Sequence, residues 1–151
     1  MDNCDSQSEY DNMGVYDDWA ILTCEGSQAI AGSMQVECAN SASDMSGTYY
    51  VQGYPSDLNF PKHGEDGYTQ FDMYFSSGTI IDDVYNPNYR FLDLVYLNMD
   101  AWNGMSGGPV YHIVNGHPRV QAVYVADKVT FRQNFAILIN DWLYSLIQND
   151  L

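Results

Sequence analysis

The chain has 151 residues, room for one domain, and its 46% hydrophobic and 15% aromatic content suffices for a packed core. It carries 5 Lys and Arg against 20 Asp and Glu, a formal charge of -15. That balance excludes nucleic-acid binding, which needs cations to displace counterions from phosphates, and it opposes docking on an anionic membrane.

The first stretch, MDNCDSQSEYDNMG, is polar and acidic. It lacks the positive start and apolar core of a signal peptide. Residues 1–17 are expected to be a mobile acidic segment. Trp19–Cys24 is a short apolar run of strand length. Residues 25–47 are rich in Ser, Gly, Ala and Asn and read as a linker or long loop. Thr48–Tyr54 is β-branched and aromatic, a strand that Pro55 ends. An exposed loop over 56–67 leads to two strand-like runs, Tyr68–Ile81 and Arg90–Asn98. Asp82-Asp83-Val84-Tyr85-Asn86-Pro87-Asn88 separates them. Pro109–Val114 and Arg119–Ala126 flank Asn115-Gly116, a hairpin signal. Asn134–Ile139 reads as a last strand. Asn140 can cap a helix in which Trp142, Leu143, Leu146 and Ile147 share a face. Short strands with regular turns, closed by one helix, predict an all-β barrel or sandwich.

No apolar run is long enough to span a bilayer. Cys4, Cys24 and Cys38 match no zinc spacing and no disulfide framework, and any one pair leaves the third free. The acidic start matches no calcium loop, so no metal and no cofactor is assigned.

Chemistry concentrates in Asp100-Ala101-Trp102-Asn103-Gly104-Met105-Ser106-Gly107-Gly108-Pro109-Val110. A serine among glycines, directly before a strand, places a hydroxyl and exposed backbone N–H groups on one sharp turn. Acyl transfer needs that pairing: a nucleophile, and donors for the oxyanion it creates. The α/β-hydrolase elbow turns from strand into helix. Gly107-Gly108-Pro109-Val110-Tyr111 is a poor helix start and a good strand, which argues against that class.

Gly104-Met105-Ser106-Gly107-Gly108-Pro109-Val110 resembles the nucleophile motif of trypsin-like serine proteases. Gly53-Tyr54-Pro55, the Asn115-Gly116 hairpin with Val120–Tyr124, and Asn134–Ile139 with its closing helix are similar to features of the bacterial glutamyl-endopeptidase branch, in the same order. The resemblance runs from about residue 17 to the end. It implies the second six-stranded antiparallel β-barrel of that two-barrel fold over 48–151, with a C-terminal helix. Residues 18–47 would then be a strand of the first barrel plus the inter-barrel linker. It implies Ser106 as nucleophile, with the N–H groups of Gly104 and Ser106 as the oxyanion hole. Asp18, opening the run Asp18-Trp19-Ala20-Ile21-Leu22, aligns with the triad acid, and Asp17 is the fallback.

The family's general base lies ahead of that acid, and no histidine precedes Asp18. His63, His112 and His117 match no triad position and are read as surface or strand residues. The expected partner is therefore an N-terminal barrel or chain that supplies the histidine. A polypeptide substrate and a secreted parent are implied in the same way. Asp100, six positions before Ser106, aligns with the acid that receives Lys or Arg in trypsin-like enzymes, with an aromatic or large apolar preference as the alternative. Ala101, Trp102, Asn103, Val125 and Ala126 would line the same pocket. Tyr124 stands where glutamyl endopeptidases carry a histidine, and a tyrosine supplies no positive charge. A protease-like binding module without catalysis is the rival expectation.

Overall fold

The computed structural model describes residues 33–55, 73–84, 94–128 and 133–150. Asp17, Asp18, Trp19–Cys24, His63 and the loop over 56–67 lie outside them. Seven strands and one α-helix occur in the described residues: β1 (Gln35–Val36), β2 (Tyr49–Gly53), β3 (Tyr74–Val84), β4 (Leu94–Asn98), β5 (Pro109–Val114), β6 (His117–Lys128), β7 (Gln133–Leu138) and α1 (Asp141–Asp150). A short 3-10 turn covers Ala42–Asp44.

Six of the strands close on themselves. β2 pairs with β3, β3 with β4, β4 with β7, β7 with β6, β6 with β5, and β5 returns to β2, every pair antiparallel. β1 is an extra strand, parallel to β6 at Arg119 and Val120. The all-β barrel with a terminal helix is thus as the sequence implied. Closing so few strands requires strong bending, which β-bulges supply. Register shifts fall between Ile80 and Asp83, between Val110 and Tyr111, and between Tyr124 and Ala126.

Alternation along the strands fills the interior. Tyr49 and Val51, Val95 and Leu97, and Ala122 and Tyr124 are all buried in one cluster. Met105, from the serine turn, is buried in it too. The helix covers the outside of β6: Leu143 packs with Val120 and Ile139, and Tyr144 and Ile147 close over them. Asn140 caps it, its Oδ1 accepting from the Leu143 N–H at 3.0 Å.

Three expectations need correction. Residues 25–47 are not all loop, because β1 and the 3-10 turn form within them where the chain runs along the barrel. Asp82–Val84 is not a separator but the end of β3. The bulge after Ile80 reorients the strand, and the Asp83 carboxylate accepts from the Ala42 N–H at 2.6 Å. Trp142 is 45% exposed, since the buried seam of α1 runs through Leu143 and Ile147 instead.

Candidate active site

Ser106 sits on a double turn between the segment after β4 and the start of β5. The Met105 N–H donates to the Trp102 carbonyl at 3.0 Å, closing the first turn, and the Gly108 N–H donates to the Met105 carbonyl at 2.9 Å, closing the second. The third residue of each turn has positive φ: Gly104 at 90° and Gly107 at 84°. A hydrogen-bonded turn with positive φ at that position has the type II pattern, and glycine adopts it without a Cβ penalty. Gly108 is required for another reason. A Cβ there would stand 2.8 Å from the Met105 carbonyl oxygen and closer still to that of Gln52.

The turn is fastened to β6. Gly107 N–H donates to the Tyr124 carbonyl at 2.8 Å, and Tyr124 N–H donates to the Gly108 carbonyl at 2.9 Å. The N–H groups of Met105, Gly107 and Gly108 are therefore all committed. Those of Gly104 and Ser106, between them, donate to nothing among the described residues. The open N–H groups of Gly104 and Ser106 thus flank Met105, whose own N–H is committed and whose side chain is buried.

Ser106 is exposed, and its hydroxyl donates to the Val125 carbonyl at 2.9 Å. Val125 lies in the β6 bulge, between Tyr124, paired with Ala136, and Ala126, paired with Phe135. From there β6 runs on to Lys128, with β7 on one side. No strand among the described residues pairs with its other side, the side facing Ser106.

The segment before the turn is also held from two directions. Asp100 N–H donates to Ser76 Oγ of β3 at 3.1 Å. Asn134 of β7 donates from Nδ2 to the Met99 carbonyl at 2.7 Å and accepts the Tyr124 hydroxyl proton at its Oδ1 at 3.3 Å. Ala101 is buried, Trp102 is half-buried with its ring edge-on to Tyr74 at 4.6 Å, and Asn103 is exposed in the first turn. The Asp100 carboxyl is exposed, and no cation pairs with it among the described residues. Burial first, and then the Asp100 charge, push the Tyr74 hydroxyl above its ordinary pKa.

The structure thus gathers Ser106, Gly104, Tyr124 and Val125 around one turn and sets Asp100, Ala101, Trp102 and Asn103 on the segment leading into it. Nothing is described of the Ala126 side chain, and Asp18 lies outside the described residues. His112 sits on β5, away from the turn. Its Nε2 lies 3.1 Å from Glu37 Oε2, and its ring stacks on Tyr49 at 5.0 Å. His117 opens β6, exposed.

Two sets of contacts have no signature in the sequence. One is the Tyr124–Asn134–Met99 chain. The other joins the segment after β1 to the barrel: Tyr49 donates its hydroxyl proton to Gln121, and Gln121 Nε2 donates to the Cys38 carbonyl at 3.4 Å. Both join residues distant in sequence, so no local motif announces them.

No family model matches this chain, and no curated protein matches it. Among solved structures, a Glu endopeptidase in complex with MPD aligns with a TM-score of 0.57 at 16% sequence identity. The alignment covers 80% of this chain and 48% of that one, so the chain spans about half of the structure it matches. The barrel has a chymotrypsin-like fold.

Proposed function

We propose that this barrel is the nucleophile-bearing half of a trypsin-like serine endopeptidase. The observation that carries the reading is the pair of open N–H groups, of Gly104 and Ser106, on either side of the committed Met105 N–H at an exposed serine. Two free donors on a rigid turn can receive a developing oxyanion without reorganising, which is the largest single contribution to acyl-transfer catalysis. A peptide extends β6 as an added strand on the open side of Val125–Lys128, bringing its carbonyl over Ser106.

The Ser106 Oγ attacks the carbonyl carbon while a histidine takes the hydroxyl proton. The carbonyl oxygen becomes an oxyanion held by the N–H groups of Gly104 and Ser106. The histidine returns the proton to the amine, which leaves, and water then hydrolyses the acyl-enzyme by the same route. That histidine comes from an N-terminal barrel or chain outside this sequence, oriented by Asp18. The chemistry uses no metal or organic cofactor. A secreted parent of the glutamyl-endopeptidase pattern fits the flanking motifs.

Substrate preference follows from two side chains. Asp100 offers an exposed carboxylate without a cationic partner in the described residues, whereas the buried Tyr124 donates its hydroxyl to Asn134. Cleavage after Lys or Arg is therefore favoured over cleavage after Glu. A second reading, peptide binding without cleavage, is favoured by one contact: the Ser106 hydroxyl proton rests on a carbonyl, an acceptor that does not activate it.

The test is labelling of Ser106 by a fluorophosphonate in the native preparation, with Ser106→Ala as control. Labelling that depends on a co-purifying histidine-bearing chain supports the protease. If that assembled material is never labelled, the binding reading replaces it. In active material, Asp100→Ser is expected to lower kcat/KM for Arg substrates at least 100-fold. Unchanged Arg cleavage removes Asp100 from the pocket.

A further inference from the structure

We infer that Asn134 is a positioning residue of the Ser106 site, acting through Tyr124 and the Met99 carbonyl. The inference rests on the protease reading for its purpose, but its geometry stands on its own. The relevant hydrogen bonds form a closed circuit. Starting at the second turn, the Gly107 N–H donates to the Tyr124 carbonyl. The Tyr124 side chain donates its hydroxyl proton to Asn134 Oδ1, and Asn134 Nδ2 donates to the Met99 carbonyl. The chain then runs from Met99 to Trp102, whose carbonyl accepts the Met105 N–H and leads back into the turn.

Each link has a distinct job. The backbone bonds of Tyr124 fix the height of Ser106 on β6. The bond to Met99 fixes the segment that carries Asp100. Asn134 joins these two tethers, because its amide offers both an acceptor, to Tyr124, and a donor, to Met99. No isosteric apolar residue does either, and aspartate does only the first. Ser76 of β3 holds the same segment from the other side at Asp100, so the segment is clamped between β3 and β7. The distance between Asp100 and the open N–H groups of Gly104 and Ser106 thereby depends on β7 as well as β3, although β7 contributes nothing to the turn itself.

Tyr124 and Met99 are both almost fully buried, at 1% and 7% exposure. Asn134 between them is half-buried, and breaking either bond leaves the Tyr124 hydroxyl or the Met99 carbonyl to find another partner in a largely buried setting. Losing Asn134 therefore frees the loop locally, while the strand ladders of the barrel retain their own bonds.

The experiment is amide hydrogen exchange on the full chain, comparing the parent with Asn134→Leu and Tyr124→Phe. Both variants are expected to speed exchange at Met105, Gly107 and Gly108 by about 5- to 10-fold, while Tyr50 and Val51 of β2 stay within twofold. Loop amides that exchange as slowly as in the parent overturn the inference. So does a uniform rise across the barrel, which marks a merely structural residue. Tyr124→Phe removes one hydroxyl and keeps the ring, so it decides the matter if Asn134→Leu does not fold. Where turnover is available, both variants are expected to lower kcat for Arg substrates, with the parent pH profile retained. Exchange needs no turnover, so its result decides the positioning role even where fluorophosphonate labelling removes the protease reading.

Discussion

Single atoms decide much of the behaviour of the serine turn. Gly107 and Gly108 are neighbours with opposite constraints. A Cβ on Gly107 meets nothing within 4 Å but must sit at a φ of 84°. Gly107→Ala is therefore expected to cost about 1–2 kcal/mol, the penalty of left-handed backbone alone. Gly108→Ala drives a methyl group into two backbone carbonyls that cannot step aside. It should cost more, about 3 kcal/mol or beyond, because strain at a fixed backbone is among the few routes to large losses. Urea midpoints of the two variants check this, and equal losses would contradict it. Cys38 gives a second prediction. Burial first, then its hydrogen bond to Asp141 and the charges of Asp141 and Asp44, push its thiol from 9.0 to about 11. Only the thiolate reacts, so alkylation of folded Cys38 at pH 8 should run about 100-fold slower than in the unfolded chain. Site-resolved mass spectrometry separates it from Cys4 and Cys24.

At the scale of strands and helix, legibility followed locality. The β5–β6 hairpin was readable because Asn115 and Gly116 both take positive φ, at 52° and 82°, as a tight turn requires. The serine turn was readable because its serine and glycines lie in one short run, Gly104-Met105-Ser106-Gly107-Gly108. The helix was readable from Asn140, but which side of it would be buried was not, since β6 makes that choice. β1 was invisible: two residues carry no periodicity, and pairing with β6 alone makes them a strand. The role of Asn134 was equally hidden, its partner Met99 being 35 residues away in sequence.

Tyr49 shows how such distant contacts carry stability. It ties β2 to Gln121 of β6, and burial, with Glu37 nearby, raises its hydroxyl from 10.0 to about 12. Tyr49 and Cys38 both hold their protons more tightly in the folded chain. Folding stability is then undiminished by them below pH 9 and declines as pH rises from there to 12. Tyr49→Phe should flatten the part of that decline above pH 10, read from urea midpoints alongside tyrosinate absorbance. An unchanged slope would show that Tyr49 titrates alike in both states.

For the whole molecule, closure matters most. Among the described residues each barrel strand has two neighbours, while β1 and the stretch of β6 beside Ser106 each keep one side unpaired, the kind of edge that invites aggregation. The charge of -15 adds mutual repulsion between copies. No helix among the described residues is long and apolar enough to cross a membrane.

β1 also gives the barrel a mechanical fuse. The chain enters along two register pairs with β6, backed by Glu37 N–H to the Val120 carbonyl and Ala39 N–H to the Ile139 carbonyl, both 2.9 Å. Tension applied through the preceding residues loads those few bonds before any of the six closed strands feels it. In an optical trap, pulling at residue 33 against residue 150 should give a small early rip, the release of β1, and then a larger one as the barrel opens. Glu37→Gln, which weakens the clasp to His112, should lower the force of the first event and leave the second unchanged.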